Sequence, residues 1–335
     1  MTGKNLVLNG LSFNNAALKY LRDDVVLPKQ GALMLIDPTH PANAWASGVP
    51  ADQALLPNIA GSQLSALTGS SASTDTQPSM FKPVAFAGAA GLMERTSKGG
   101  LHGVPSKVSA VQSSGPAIAF PTKLMAYILA NPKHDYYMSL WARVTRAPLD
   151  GFGNSTMVAI NGNAQQTNSY LFNVAASSST AAPWATLNRP SAGVPRLGFH
   201  EDGTVAALGN KFLSLATDQW FTLTTTDALP GDGTNPAVTG AQAGGGLTFG
   251  STVQFPGIGT TGTVANGTFN PASSASNVNK SDSHIIYRFY LEDLTVSGRT
   301  YAEVDALSWA EYQRQVLTVG GRYYGDTFTN PTSIP

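Results

Sequence analysis

The sequence predicts an all-β sandwich. Short apolar runs end repeatedly at Gly, Pro and Asn turn signals, amphipathic helical periodicity is almost missing, and an Asp-Gly pair sits between two of the runs as a hairpin signal. A doubly wound α/β chain would instead interleave its strands with helical stretches.

Taken in order, residues 1–30 set Leu6 to Leu8, Leu18 to Leu21 and Val25 to Leu27 between Asn, Gly, Asp and Pro28. That pattern is too broken for a 3.6-residue period and reads as an extended N-terminal arm. Ala32 to Ile36, closed by Asp37-Pro38, is a continuous apolar run with a turn behind it, as in a strand buried on both faces. Residues 51–80, rich in Ala, Ser, Thr, Gln and Pro, read as a long surface excursion whose charges are Asp52 and Asp75.

Strand signals return at Phe81 to Phe86 and become dense over 122–146, where Lys123 to Leu129 and Asp135 to Val144 flank the turn residues Ala130 to His134. In the second run Tyr136, Met138, Leu140, Ala142 and Val144 share one face, predicted to point inward, and Tyr137, Ser139, Trp141 and Arg143 share the other. Further strands are expected at Met157 to Ile160, Ser169 to Val174, Arg196 to His200, Thr204 to Leu208, Trp220 to Thr224 and His284 to Thr295. One short C-terminal helix is expected, opened by a capping box at Ser308-Trp309-Ala310-Glu311 and stopped by Gly320-Gly321. The body of the domain then spans 31–320, with polar insertions near 51–80 and 227–283, and 321–335 form a tail. Residues 233–279 carry no charge at all, so they form a polar loop or small strands that need a neighbour to cover them.

Composition narrows the function. Of 335 residues, 20 are basic and 20 acidic, a charged fraction of 12% and a net charge of zero, which leaves no basic excess for neutralising nucleic-acid phosphates. With no cysteine there is no disulfide, thiolate metal site or thiol nucleophile. The N-terminus lacks the apolar core of a signal peptide, and no run reaches membrane-spanning length, so the expectation is a protein kept in the cytoplasm at first, with no membrane span.

Gly257-Ile258-Gly259-Thr260-Thr261-Gly262 satisfies GxGxxG, but Pro256 precedes it and no helix signal follows, so it reads as a loop and no cofactor is expected. His40, His102, His134, His200 and His284 show no close metal-ligand spacing, and no metal is expected. No GxSxG elbow occurs. Of the acidic pairs, Asp23-Asp24, Glu201-Asp202 and Glu292-Asp293, the last lies within a strand and projects to opposite faces, so it cannot flank one glycosidic bond. No catalytic residue is assigned, and the expectation is a protein that is not an enzyme. The sequons at Asn154, Asn266 and Asn279 carry little meaning without a secretory signal.

Exposed tryptophans can stack on sugars. Trp45 and Trp184 lie in loop-like contexts and are the candidates for a glycan platform, against the alternative that they anchor a loop or fill an interface; Trp141 and Trp220 lie in strands and read as packing residues.

The segment Ile285 to Asp305, with an acidic pair in a late strand, a Ser/Gly turn and a following helix, resembles the end of a concanavalin A-like or laminin-G-like jelly roll. Gly320 to Phe328 and Glu94 to His102 resemble segments of structural proteins in tailed-bacteriophage virions. The resemblance covers about 284–329 and, by strand pattern, 120–225. It implies a non-enzymatic jelly-roll module of the particle surface, a capsid decoration, collar or tail component assembled in the host cytoplasm. Its implied partners are other virion proteins and its own copies, as a trimer or dimer, with a lectin-like role toward a host-surface glycan as the alternative.

Overall fold

The computed structural model describes residues 24–81, 91–105, 107, 116–131, 134, 136–146, 154–161, 170–177, 185–187, 220–224, 244–248 and 283–334. The elements follow in the order β1 (Ala32–Ile36), α1 (Gly61–Thr68), α2 (Ser73–Thr76), β2 (Ser79–Phe81), β3 (Gly91–Arg95), β4 (Leu101–Pro105), β5 (Ala117–Ala119) and α3 (Thr122–Ala130). Then come β6 (Tyr136–Arg146), β7 (Asn154–Asn161), β8 (Tyr170–Ser177), β9 (Ala185–Leu187), β10 (Trp220–Thr224), β11 (Gly244–Thr248) and β12 (Ser283–Asp293). The chain closes with α4 (Leu294–Ser297), α5 (Tyr301–Tyr312), a π-helical turn over Gln313–Leu317 and a 3₁₀ turn over Pro331–Ser333.

Sheets dominate. One runs β10-β6-β12-β4-β3, with β1 added beside β12, and the other β2-β5-β11-β7-β8-β9; every pairing among the described residues is antiparallel. Two curled antiparallel sheets with a few short helices are compatible with a β-sandwich. β12 is the axis of the first sheet: β6 lies along one edge, while β4 and β1 share the other, opposite Ile285 and Phe289 respectively.

That first sheet is covered on both faces. Its inner face places Tyr136, Met138, Leu140 and Ala142 of β6 with Ile286, Phe289 and Leu291 of β12. They pack against Met80, Ile118 and Leu247 of the second sheet and against Leu64 and Leu124 of the helices. Each such side chain contributes about 1.5–3 kcal/mol by leaving water. The inward set expected for β6 is the one found, over the side chains described. Its opposite face is also buried: Tyr137 and Trp141 join Tyr287, Tyr290, Tyr312 and Tyr323 in a second, aromatic core.

Several elements differ from the expectation. Lys123 to Leu129 form helix α3, not a strand. The run is apolar enough for either, but Leu124, Met125 and Ile128 recur at helical spacing and all three are buried, while Pro121 stands in extended backbone as the N-cap. The capping box lies at Thr300 and Glu303, not at Ser308 and Glu311. Ser308 sits inside α5 on its buried side, so the Ser-x-x-Glu spacing there is coincidental. Segment 51–80 is more than a surface excursion, because α1 packs on β1. Its buried Asn58 accepts from the Leu35 amide and donates to the Thr76 carbonyl.

The uncharged stretch contains β11, seated between β5 and β7, so that part of it is a small strand with neighbours on both sides. Residues 24–30, assigned to the arm, and 322–331, assigned to the tail, both contribute buried side chains to the body, including Val26, Leu27, Tyr323 and Pro331. The expected strands at 196–200 and 204–208, their hairpin, the GxGxxG loop, Glu201-Asp202 and most of the arm lie outside the described residues.

Candidate functional site

The most chemically dense region is the outer face of the first sheet, where three distant parts of the chain meet. A register shift in β12 between Ile286 and Arg288, opposite β6, inserts one extra residue. Such a bulge turns two successive side chains toward one face. Tyr287 and Arg288 both serve the outer core in consequence.

The Arg288 guanidinium is fully buried 4.8 Å over the Trp141 ring. It donates to both oxygens of Asp24, Nη1 to Oδ2 and Nη2 to Oδ1, each at 2.8 Å, and reaches Asp37 Oδ2 at 3.4 Å. Asp24 is held in turn by the Val26 amide at 2.9 Å and by His40 Nε2 at 2.9 Å. Asp37, at the end of β1, receives the Arg322 fork at 3.1 and 2.8 Å and the Tyr323 hydroxyl at 2.6 Å. Two carboxylates thus meet two guanidiniums. Burial pushes the Asp24 carboxyl up, but the Arg288 charge and the hydrogen bonds from His40 and Val26 outweigh it and hold the group far below the usual carboxylate range. The same carboxylates raise Arg288 against the opposing effect of its own burial.

β1 can approach this region because of Gly31. Its φ is +99°, and a side chain there would strike Asp293 O at 2.9 Å and the Ser297 amide at 2.8 Å. On β12, Glu292 turns to the outer face, where Arg299 and Tyr290 donate to it. Asp293 turns to the other face, where it accepts from the Tyr127 hydroxyl at 2.8 Å and meets His134 Nδ1 at 2.6 Å. The pair therefore projects apart, as strand alternation requires.

A second polar chain ties the tail to β3 and β4. Glu94 accepts from the Thr329 amide and hydroxyl at 2.8 and 2.7 Å and meets His102 Nδ1 at 2.8 Å; His102 Nε2 meets Thr145 Oγ1 at 2.8 Å. Burial lowers His102 below the usual imidazole range, Glu94 only partly opposing it. Burial raises Glu94, but its hydrogen bonds from His102 and Thr329 bring it below normal. Carboxylate, imidazole and hydroxyl stand in the order of a proton relay. The imidazole, however, has no exposed surface, and the Phe328 ring meets its ring edge-on at 5.2 Å. A general base must come within hydrogen-bond reach of a substrate proton, and both nitrogens here are already engaged by the protein. Asp326 closes the same seam, accepting from Tyr287, Ser97 and the Lys98 amide.

Trp45 is buried in the inner core, with Arg95 5.6 Å over its ring and its amide donating to the Pro38 carbonyl at 3.0 Å. Stacking on a sugar would need an open ring face, so the structure places Trp45 as an anchor of the loop after β1. Trp184 lies outside the described residues. Among the described residues no three His, Asp or Glu side chains group as a metal site, and no helix is long and apolar enough to cross a membrane.

Reading the sequence missed Asp24, Asp37, Arg288 and Arg322 as a set, as well as the chain Glu94–His102–Thr145. One signal was present: Arg288 interrupts the apolar and aromatic run Ile285 to Leu291, and a guanidinium in such a place requires a carboxylate partner. No protein-family model and no curated protein matches the chain.

Proposed function

We propose that the protein is a non-enzymatic structural component of a tailed-phage virion, a capsid decoration, collar or tail part that acts through protein–protein assembly on a concanavalin A-like jelly roll. One observation carries the reading beyond the resemblance of 284–329: the ionisable groups of the outer core join elements to one another. Asp24 and Asp37 join the N-terminal segment and β1 to β12 and the tail through Arg288 and Arg322, and Glu94 and Asp326 join the tail to β3 and β4. Groups committed in this way favour a scaffold in which residues 24–37 and 322–329 are locked into the body, as a part displayed on a particle surface requires. A charge-poor surface suits burial against neighbouring subunits, where few ions need to be stripped of water.

The test is mass spectrometry of density-purified particles made by a phage that encodes the chain. The reading expects the protein in the particle fraction at fixed stoichiometry to the major capsid protein. Recovery only in the unassembled lysate would end it.

A further inference from the structure

Residues 326–333 lie against β3, β4 and the turn between them, tied down largely by hydrogen bonds. Asp326 accepts from the Tyr287 hydroxyl, the Ser97 hydroxyl and the Lys98 amide at 2.9, 3.0 and 2.7 Å. The Thr327 amide donates to Ser97 Oγ and its carbonyl accepts the Ser97 amide, both at 2.9 Å. Thr329 donates twice to Glu94, and the Thr332 carbonyl accepts Lys107 Nζ at 2.8 Å. Thr327, Asn330, Thr332 and Ser333 face solvent, while Asp326 and Pro331 are buried. Tyr323, by contrast, is fixed in the outer core by its bonds to Asp37 and to the Tyr287 carbonyl. Between that anchor and the segment stands Gly325, at φ +67°, with no atom within 4 Å of where a side chain would stand. A backbone of this kind can pivot there without displacing a neighbour.

The segment covers a titratable group. The Phe328 ring meets the fully buried His102 ring edge-on at 5.2 Å. Nδ1 of His102 gives its hydrogen to Glu94, so Nε2 keeps its lone pair and accepts the Thr145 hydroxyl. An added proton would fall on Nε2, where that hydroxyl already donates, and its charge would be shut away from water. The surrounding charges divide. β3 brings Glu94 and the segment itself brings Asp326, which favour the imidazolium; β12 brings His284, which opposes it. β6 brings Arg143, 5.0 Å over the Phe328 ring, and Arg146, bonded to the Pro105 carbonyl. Burial outweighs the carboxylates and keeps the imidazole neutral. Lifting Phe328 admits water to the ring and restores its ordinary affinity for a proton, so proton uptake and opening are linked.

We propose that residues 326–333 form an acid-opened strap, closed over β3 and β4 at neutral pH and released when His102 takes up a proton. Opening uncovers the β3–β4 turn, Glu94 and the edge of the His102 ring, while Tyr323 and the rest of the outer core stay in place. The effect sets in below about pH 6.5, the ordinary imidazole value, and grows by at most about tenfold per pH unit. Glu94, held below its ordinary value by its bonds from His102 and Thr329, adds to opening in the same direction below about pH 4. The strap belongs to the chain wherever the protein resides, so the particle experiment above and this one fail separately.

Amide hydrogen exchange on the full chain, corrected for the intrinsic pH dependence of exchange, tests it at about pH 7 and about pH 5. The amides of Ser97, Lys98, Thr327 and Thr329 each bond across the seam. Their opening should be about tenfold more frequent at the lower pH, while the amides of β12 keep their protection. His102→Gln should make seam opening equal at the two pH values. Phe328→Ala should shrink the difference too, because the imidazole then meets solvent with the strap closed, and it serves should His102→Gln not fold. Equal protection of the wild-type seam at both pH values would overturn the proposal. So would an acid-induced loss that persists in His102→Gln, or one that the β12 amides share.

Discussion

The two faces of the central sheet are both buried and are built on different chemistry. The inner face is aliphatic and aromatic, with Leu140, Ile286, Phe289 and Leu291 packing on residues of the second sheet and α3. The outer face sets tyrosines around buried ions, with Tyr137, Tyr290, Tyr312 and Tyr323 surrounding Arg288, Asp24, Asp37 and Glu292. The inner core is indifferent to which apolar group arrives, within its volume. The outer core is not, because a buried charge that loses its partner is left unsolvated. Order on the outer face therefore depends on the arrival of specific residues distant in sequence, Asp24 and Asp37 on one side of β12 and Arg322 on the other.

Removing a partner should have the largest effect. Arg288→Met leaves Asp24 without its fork and deprives Asp37 of one cation, and the expected loss is about 3–5 kcal/mol in denaturant unfolding. Leu140→Ala on the inner face should cost about 2–5 kcal/mol as a cavity. The two are told apart by pH: the Leu140→Ala deficit should be constant between pH 5 and 8, because no titrating group is involved, roughly the range of maximal protein stability.

Acid should act through the groups that the fold shifts. Asp24, Glu94 and His102 all stand below their ordinary values in the fold, so the unfolded chain takes up protons first. Their stabilisation is complete above the unfolded imidazole value of about 6.5. It declines as pH falls, first through His102 and then, below about 4, through the two carboxylates. Replacing His102 by Gln should remove the first decline and leave the part of the second that Asp24 carries, measured as melting temperature against pH. The smallest expected effect is at the cap. Thr300 accepts from the Glu303 amide, and Glu303 accepts from the Thr300 amide at 2.7 Å. Thr300→Ala should cost about 0.5–2 kcal/mol and fray α5 without disturbing either core, visible as faster amide exchange in its first turn.

The same contrast explains what could be read in advance. Strand β1, the inward set of β6 and the span of β10 follow from local apolar runs, and each was legible because its signal lies within a few neighbouring residues. Helix α3 was not, since an apolar run of that length suits either period, and its burial against the sheets decides the outcome. The capping box was misplaced by eight residues because Thr300-x-x-Glu303 and Ser308-x-x-Glu311 share one spacing, and only the buried side of α5 tells them apart. The outer core was illegible for a further reason: Asp24 and Arg288 are 264 positions apart, and no local pattern links them. The bulge that aims Arg288 at Trp141 is a property of the pairing, not of either strand alone.

The central claim is that the outer core is a set of mutually dependent ions joining the segments around Asp24, Asp37 and Arg322 to β12. A double-mutant cycle on Asp24→Leu and Arg288→Met, followed by denaturant unfolding, measures that dependence directly. The double variant should be more stable than the sum of the single losses predicts, by about 1–3 kcal/mol, because removing both ions leaves neither unpaired. Strictly additive losses would contradict the claim, showing that Asp24 and Arg288 act independently and that their ion pair does not join the segments that carry them.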